Sequence, residues 1–265
     1  MKLSCVSASY VMDLFGYPGH FDWGLAVEKI PHSPLLETLD GMLDRLAPAR
    51  LDGVELWFPH VSPLNLTPAL ASAVRRRLAA RGMVCCACAG GIADPAEDPY
   101  ACEEAFQVAC LLGAPLISAH LGAGAVRALD ETWTCYARYG VRVAFENGGE
   151  KDAGEMLDAI PGGGDWIDAA IDTGNMAAQG GDPARAIRQL GAKIIHVHFK
   201  DVPAVGAHDC VALGAGIVDV KGVIRELKAC GYDGWLSIEV ETADRDPSQE
   251  IAASAETIRH LWGIL

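Results

Sequence analysis

The chain contains eight short apolar segments rich in β-branched and aromatic residues, and longer amphipathic segments separate them. Short apolar runs that alternate with helical patterns predict parallel strands joined by helical crossovers. The predicted strands are 2–8, 53–58, 83–89, 115–120, 141–146, 166–172, 193–199 and 235–240. This feature constrains the fold most, because eight parallel strands with intervening helices can close into a barrel.

Several intervening segments have apolar residues at helical spacing and recognisable helix ends. The predicted helical segments are 34–47, 68–82, 96–114, 182–192, 219–234 and 246–262. Gly82 and Gly113 follow such segments as C-caps would, and Asp182-Pro183 is typical of a helix start. The first strand lacks a glycine-rich phosphate fingerprint, which disfavours a dinucleotide-binding fold. Since no Pro/Ser-rich linker divides the chain, we predict one α/β domain over residues 1–265, a single (β/α)8 TIM barrel.

A long segment rich in glycine and aromatic residues, about 10–33, follows the first strand. Its aromatic residues are Tyr10, Phe15, Tyr17, Phe21 and Trp23. Long loops in compact domains often act as lids over active sites. The alternative is a loop packed onto its own aromatic side chains, and the sequence favours neither.

Composition limits the partners and the compartment. Apolar residues make up 51% of the chain, which is enough for a large core. A formal net charge of −14 disfavours binding to nucleic acid or to an anionic membrane, and we read no signal peptide and no membrane span. Nine cysteines without zinc-site spacing indicate free thiols and a cytoplasmic protein. Cys85, Cys86 and Cys88 are read as small apolar residues of a buried strand, with a soft-metal site as the alternative.

Polar side chains stand at the C-terminal ends of the last four predicted strands, where TIM barrels carry their reacting groups. These residues are Glu146, Asp172, His198 and Glu239, and the first three follow one another at equal intervals. In each strand a polar face alternates with an apolar face, which predicts that the polar face points into the barrel. His196 lies on the same face as His198, one layer deeper, and Lys200 is predicted at the rim.

Three carboxylates and an imidazole cannot be buried together without compensation, because repulsion and desolvation would protonate some of them. One divalent cation would resolve the conflict. A set of three oxygen ligands and one nitrogen ligand suits Mn²⁺ or Mg²⁺, with Co²⁺ and Zn²⁺ also compatible. Each residue alone is as consistent with an ordinary core or rim group; the four together favour a metal site.

Six motifs together make the chain similar to a known family. They are Gly53–Trp57 (GVELW), 144–147 (AFEN), 171–175 (IDTGN), 196–201 (HVHFKD), 213–219 (LGAGIVD) and 235–241 (WLSIEVE). From about Val54 to its end, the chain resembles the xylose isomerase-like TIM barrels, the superfamily of sugar (phosphate) isomerases and epimerases. The resemblance implies that Glu146, Asp172, His198 and Glu239 are the metal ligands and that both glutamates move protons. It also implies a substrate-binding role for the following residues: Glu55, Trp57, His120, Asn175 and His208. Lys200 is a further candidate substrate-binding residue, which would stabilise developing negative charge or steady the carboxylates.

Two positions depart from the family pattern. Asn175 stands where members often have histidine, and Ala215 stands where the motif often has glutamate. Asn175 can bind substrate but is a poor metal ligand. Both departures leave the substrate open and count against the related apurinic endonucleases, which need several zinc ions and additional ligands.

The resulting expectation is a metal-dependent isomerase or epimerase of a sugar, polyol or keto acid. A bound cation would polarise the carbonyl group and stabilise an enediolate, while Glu146 and Glu239 remove and return the α proton. Alternatives are a dehydratase of the inosose or 3-dehydroshikimate type, an apurinic endonuclease-like enzyme, and a barrel that binds sugar without turnover. The resemblance also implies a homo-oligomer, and the acidic charge predicts that nucleic acid is not a partner.

Overall fold

A computed structural model describes residues 1–160 and 164–265, and it contains a closed barrel of eight parallel strands in chain order, β1 to β8. The strands are β1 (Lys2–Val6), β2 (Gly53–Trp57), β3 (Val84–Ala89), β4 (Leu116–Ala119), β5 (Arg142–Glu146), β6 (Ile167–Asp172), β7 (Ile194–Phe199) and β8 (Trp235–Ile238). Parallel pairing of β8 with β1 closes the ring. The prediction of a (β/α)8 TIM barrel is confirmed.

Ten α-helices lie in the described part of the chain. They are α1 (Trp23–Lys29), α2 (Leu35–Leu46), α3 (Pro68–Ala80), α4 (Pro99–Leu112), α5 (Ala123–Tyr136), α6 (Ala153–Ala159), α7 (Thr173–Ala178), α8 (Pro183–Leu190), α9 (Val220–Ala229) and α10 (Ser248–Ile264). The side chain of Asp182 caps α8, whose first residue is Pro183, and Gly113 ends α4 in the left-handed conformation. Both helix boundaries follow the sequence signals, because a capping carboxylate satisfies free amides and glycine tolerates a positive φ.

The strands of the second half of the barrel have an apolar face toward the helices and a mostly polar face toward the barrel axis. Phe145, Ile171, Val197 and Leu236 belong to the main hydrophobic core between sheet and helices. Inside the barrel, small side chains including Ala144 form a separate cluster below the polar residues. The predicted alternation therefore holds and directs the polar strand ends into the mouth of the barrel.

The segment after β1 is more ordered than the sequence indicates. Residues 7–10, 13–15 and 30–32 form short 3₁₀ helices, and α1 lies between the last two of these. The side chain of Asp22 caps α1 by accepting a hydrogen bond from the amide of Leu25 at 2.9 Å. Phe21 stacks on Trp23, which packs edge-on against Trp57 of β2, with ring centroids 5.7 Å apart in both pairs. The loop thus packs on aromatic side chains, and its role as a lid stays a prediction.

The cysteines of β3 behave as apolar residues. Cys85 and Cys88 pack in the outer core, whereas Cys86 belongs to the cluster inside the barrel. Because they lie on different faces of the strand, the three thiols cannot converge on one ion. No cysteine belongs to a possible metal-binding group within residues 1–160 and 164–265. In the same residues, no helix is long and apolar enough to cross a membrane.

Candidate active site

Four buried side chains meet at the C-terminal mouth of the barrel. Glu146, Asp172, His198 and Glu239 each direct one potential ligand atom to a common point, and these atoms all lie within 4.8 Å of one another. A divalent ion holds its ligands at about 2.0–2.3 Å, so ligands on opposite sides of it are about 4–4.6 Å apart. The spacing of the four atoms therefore fits one ion.

Three of these atoms also lack hydrogen bonds. Asp172 Oδ2, His198 Nδ1 and Glu239 Oε2 are buried and have no hydrogen-bond partner in the described part of the chain. Buried polar atoms are normally satisfied, and each unsatisfied one costs about 1–3 kcal/mol. An ion bound at this point would satisfy all three, so the donor set fits a divalent cation.

Side-chain hydrogen bonds hold the ends of three neighbouring strands in register. Asn147, directly after β5, donates to the carbonyl of Asp172 at 3.0 Å and accepts from its amide at 2.8 Å. Thr173, directly after β6, makes the same pair of contacts with Lys200, donating at 2.6 Å and accepting at 3.0 Å. We call these two contacts the strand-end clamps. Because both lie next to the cluster, they fix the relative positions of Glu146, Asp172 and His198.

Asp172 has a second structural role. Its Oδ1 atom accepts a hydrogen bond from the amide of Asn175 at 2.8 Å and thereby caps α7. The cap fixes the carboxylate plane and leaves Oδ2 directed at the cluster. Carboxylates at helix N-termini are stabilised by the free amides there.

Glu55 lies beneath the cluster, fully buried, with four hydrogen bonds. Its Oε1 accepts from His198 Nε2 at 3.0 Å and from Ser118 Oγ at 2.5 Å. Its Oε2 accepts from His196 Nε2 at 2.6 Å and from Ser237 Oγ at 2.7 Å. The predicted substrate-binding role of Glu55 is therefore wrong, because both oxygens are used inside the barrel and none of the side chain reaches the cavity.

The Glu55 contact determines which nitrogen of His198 is available. A carboxylate oxygen only accepts, so His198 Nε2 carries a hydrogen and Nδ1 faces the cluster. His198 Nδ1 lies 3.1 Å from Glu146 Oε1 and 3.2 Å from Glu239 Oε2. This carboxylate–histidine arrangement is the usual support of a metal-bound imidazole. Glu55, His196 and His198 could also hold an ion by distance, but their atoms are already hydrogen-bonded to one another.

Lys200 lies inside the site, not at a solvated rim, and the rim prediction is wrong. Its side chain is 6% exposed, and Nζ lies 3.3 Å from Asp172 Oδ2, 3.5 Å from Glu239 Oε2 and 3.0 Å from Glu241 Oε2. Burial alone would lower the pKa of Lys200, but the three carboxylates raise it well above its usual value. The lysine therefore stays charged and holds the carboxylates together.

The two predicted bases are ionised. Burial alone would raise the pKa of Glu239, but Lys200 and His198 lower it to about 2. Burial opposes ionisation of Glu146 as well, and the attraction of His198 and His120 lowers its pKa. Because both carboxylates are charged at neutral pH, both can accept a proton.

Two cavities open above the cluster. The inner cavity, about 380 Å³, has in its wall Glu146, His198, Glu239, Lys200, His120 and Trp57. The outer cavity, about 540 Å³, has His208, Gln179 and Phe21 in its wall. Trp23, Asn175 and Glu241 belong to both walls, so the two cavities join. The structure thus brings the predicted substrate-binding residues other than Glu55 to these cavities, with His208 in the outer one; their roles stay predictions.

His120 contacts a predicted base directly. Its Nε2 lies 3.2 Å from Glu146 Oε1, and its Nδ1 lies 3.1 Å from the carbonyl oxygen of Glu146. The ring is about half-exposed, so one side of it faces the cavity. His120 can therefore orient Glu146 and contact a bound molecule as well.

Sequence reasoning did not assign three residues of the cavity walls. Glu241 alternates with Glu239 along the chain, and this alternation was a usable signal. Burial raises the pKa of Glu241 to about 8 despite the neighbouring Lys200. Trp23 was visible only as one aromatic residue of a long loop, and Gln179, at the end of α7, carried no signal.

Comparisons with known proteins agree with this fold. A family model described as xylose isomerase-like TIM barrel matches residues 43–261. An inosose dehydratase from Lactiplantibacillus plantarum is 28% identical over 146 residues, or 48% of each chain. An L-ribulose-5-phosphate 3-epimerase from Escherichia coli is 32% identical over 96 residues, or 36% of this chain and 33% of the relative. The chain spans less than half the length of both curated relatives.

Solved structures show the same fold across nearly the whole chain. The structure described as the probable 3-DHS dehydratase AsbF from Bacillus anthracis superposes with a TM-score of 0.71 at 16% identity, over 98% of this chain and 99% of the other. A xylose isomerase domain protein from Planctomyces limnophilus gives a TM-score of 0.68 at 24% identity, over 83% of this chain and 90% of the other. At these identities the similarity shows the fold alone.

Proposed function

We propose that this chain, which belongs to the xylose isomerase-like TIM barrel family, is a metal-dependent enzyme. The enzyme would transfer a proton to and from the carbon next to a carbonyl group. The substrate class is a polyhydroxy carbonyl compound, and the first candidate reaction is epimerisation or isomerisation. One observation carries the proposal. Three carboxylates and one imidazole converge within 4.8 Å, and three of their buried atoms lack hydrogen-bond partners in the described residues.

The residues that would hold the ion are Glu146, Asp172, His198 and Glu239. Three oxygen ligands and one nitrogen ligand suit Mn²⁺ or Mg²⁺ better than a soft metal. When bound, such a cation supplies Lewis-acid polarisation of a substrate carbonyl group. Lys200 and Glu55 support the ligands, the first by charge and the second by orienting His198.

The two glutamates provide the proton transfer. Glu146 ends β5 and Glu239 follows β8, so the carboxylates reach the cluster from different parts of the ring. Both are ionised, as their lowered pKa values require, and both belong to the wall of the inner cavity. One carboxylate takes the proton from the carbon next to the carbonyl group. Inversion of that carbon needs the second carboxylate to have taken a proton from water, which it then delivers to the opposite face. Return of the first carboxylate's proton to the neighbouring carbon exchanges aldose and ketose.

Dehydration is the second candidate, and the inosose dehydratase relative favours it. The α proton again goes to a glutamate. The electron pair of the C–H bond forms a carbon–carbon double bond while the β-hydroxyl group leaves as water, taking one proton from an acid. His120, half-exposed beside Glu146, is the group in position to deliver that proton.

The first experiment is metal analysis of protein purified without chelator and incubated with Mn²⁺. We compare the parent, Glu239→Gln and the matched control Glu241→Gln, which changes a neighbouring carboxylate outside the ligand set. We expect about one ion per chain in the parent and in the control, and loss of the ion in Glu239→Gln. Absence of metal from all three proteins would refute the proposal.

The second experiment identifies the reaction. Candidate ketoses and inososes are incubated in D₂O with the metal-loaded protein, and solvent deuterium in the recovered substrate is measured by NMR. Deuterium in an epimer or isomer supports the first candidate, and a conjugated product absorbing in the ultraviolet supports dehydration. Bound metal without proton exchange would favour the interpretation of a barrel that binds sugar without turnover. Manganese as the native metal, assembly into a homo-oligomer and a cytoplasmic location stay predictions.

A further inference from the structure

The cavity walls carry little free positive charge. No arginine lines either cavity in the described part of the chain, and Lys200 is the one lysine there. Lys200 already contacts three carboxylates. His120 contacts Glu146. His208, in the wall of the outer cavity, is therefore the one basic side chain of the two walls that has no carboxylate partner in the described residues. Phosphate and carboxylate groups are normally bound by arginine, lysine or clustered backbone amides.

A cluster of backbone amides follows β7, but a carboxylate of the chain already accepts their hydrogen bonds. The Asp201 carboxylate accepts hydrogen bonds from the amides of Gly214 at 2.9 Å, Gly216 at 3.0 Å and Val218 at 3.0 Å. It also accepts from the amide of Val202 at 2.9 Å, and it is fully buried. The loops after strands seven and eight often bind phosphate in TIM barrels. Here an internal carboxylate occupies the amide cluster that an external anion would need.

The packing around Asp201 shows that this arrangement is tight. A Cβ atom on Gly216 would lie 2.3 Å from Asp201 Oδ1 and 2.2 Å from the carbonyl oxygen of Val202. Glycine at this position therefore allows the chain to close over the carboxylate. The amides of Gly214, Gly216 and Val218 are therefore used within the chain.

The remaining wall suits an uncharged, hydroxyl-rich molecule. Trp23, Trp57 and Phe21 offer aromatic faces to C–H groups. Asn175 and Gln179 offer amides that donate to and accept from hydroxyl groups. The acidic side chains of the inner cavity accept hydrogen bonds from hydroxyl groups, and their charge would offset that of a bound divalent ion and of Lys200, so little net positive charge is left for an anion.

We infer that the substrate is an uncharged polyhydroxy carbonyl compound, a free ketose or an inosose, and not a sugar phosphate or a carboxylate such as dehydroshikimate. This inference rests on the proposed function and narrows its substrate class. It separates the molecules named for the similar proteins, since inosose is uncharged whereas L-ribulose 5-phosphate and 3-dehydroshikimate are anions.

The test uses matched pairs on the Mn²⁺-loaded protein. Binding is followed by tryptophan fluorescence, because Trp23 and Trp57 belong to the cavity walls, and exchange of the α proton with D₂O is followed by NMR. The pairs are L-ribulose with L-ribulose 5-phosphate, and an inosose with 3-dehydroshikimate; inorganic phosphate is a further probe. We expect at least one uncharged compound to bind about tenfold or more tightly than its anionic counterpart, and inorganic phosphate not to compete with it.

The outcomes separate the two proposals. Equal or tighter binding of an anion overturns the inference, and if that anion exchanges its proton the proposed function survives. Binding of an uncharged compound without exchange supports the inference and refutes the proposed function. Failure of every compound to bind to metal-loaded protein refutes both.

A designed charge provides a second test. Gln179 is an exposed residue of the outer cavity wall, so Gln179→Arg places a cation there without disturbing the core. We expect L-ribulose 5-phosphate to bind about five- to tenfold more tightly to this variant than to the matched Gln179→Met control, through one charge-assisted contact. No gain in affinity would show that missing positive charge on the outer wall is not what excludes the phosphate ester, which would overturn the inference.

Discussion

Replacement of Glu55 by glutamine should weaken metal binding although Glu55 is not itself a predicted ligand. Glutamine preserves the shape of the side chain but replaces one accepting oxygen by an amide group that donates. Glu55 accepts one imidazole Nε2 hydrogen on each oxygen. One of the two histidines must therefore lose its acceptor. If His198 loses it, the ring proton is favoured on Nδ1, where the ion has to bind.

The expected loss follows from the role of such supporting groups. Removal of the partner of a metal-bound histidine typically costs 10- to 100-fold in metal affinity, or about 1.4–2.7 kcal/mol. The fold also loses a charge-assisted hydrogen bond inside the barrel, worth about 1.5–3 kcal/mol. Burial alone would raise the pKa of Glu55, but His196 and His198 hold it well below its usual value, so the charge is present at neutral pH.

The assay is calorimetric titration of metal-free protein with Mn²⁺, and urea unfolding measures the stability of the same samples. Ser237→Ala is the matched control, because it removes one donor to Glu55 at 2.7 Å and leaves both imidazole contacts in place. We expect the control to lose less than threefold in affinity, below about 0.7 kcal/mol. Parental Mn²⁺ affinity in a folded Glu55→Gln protein would refute the expectation that His198 is the ring that loses its acceptor.

Three further predictions concern stability. Mn²⁺ at about a hundredfold excess over its Kd should add about 2.7 kcal/mol to the free energy of unfolding. For a chain of this size, that increase raises Tm by about 5–10 °C. An unchanged Tm would contradict a metal site that exists only in the folded state. His198→Ala should abolish this metal-dependent rise, whereas His196→Ala should keep a rise from a baseline lowered by about 2–4 kcal/mol, and equal metal content in His198→Ala and the parent would defeat the ligand assignment. Asp201→Ala leaves four backbone amides without their acceptor and should cost about 2–4 kcal/mol with faster proteolysis between residues 202 and 218; a parental cleavage rate would show that the loop is held by other contacts.

The ligand cluster was predictable because it depends on local periodicity. Glu146, Asp172 and Glu239 fall on polar faces that alternate with apolar ones, and the C-terminal ends of parallel strands meet at one edge of a barrel. The helices with end signals were predictable for the same reason. Helix α5 was not, because it begins at Ala123 after Gly122 and has no capping side chain.

The depth at which Glu55 and Lys200 lie inside the barrel was not predictable. Glu55 lies next to an irregularity in pairing, because Val54 pairs with Cys85 whereas Glu55 pairs with Ala87. Together with the stagger of the strands, such shifts decide whether an inward side chain reaches the cavity or the layer below it. Lys200 was misplaced because its carboxylate contacts come from the end of β6 and from the segment after β8, which are distant from it in sequence.

The strand-end clamps hold three of the four proposed metal ligands independently of the loops that line the outer cavity. Asn147 and Thr173 connect the ends of β5, β6 and β7 through backbone groups of the neighbouring strand, so the positions of Glu146, Asp172 and His198 do not depend on the residues beyond them. Gln179 and His208, which line the outer cavity, lie beyond these contacts. Specificity in this scaffold can therefore diverge by loop substitution, in evolution or in a directed library, while the reactive centre is inherited unchanged.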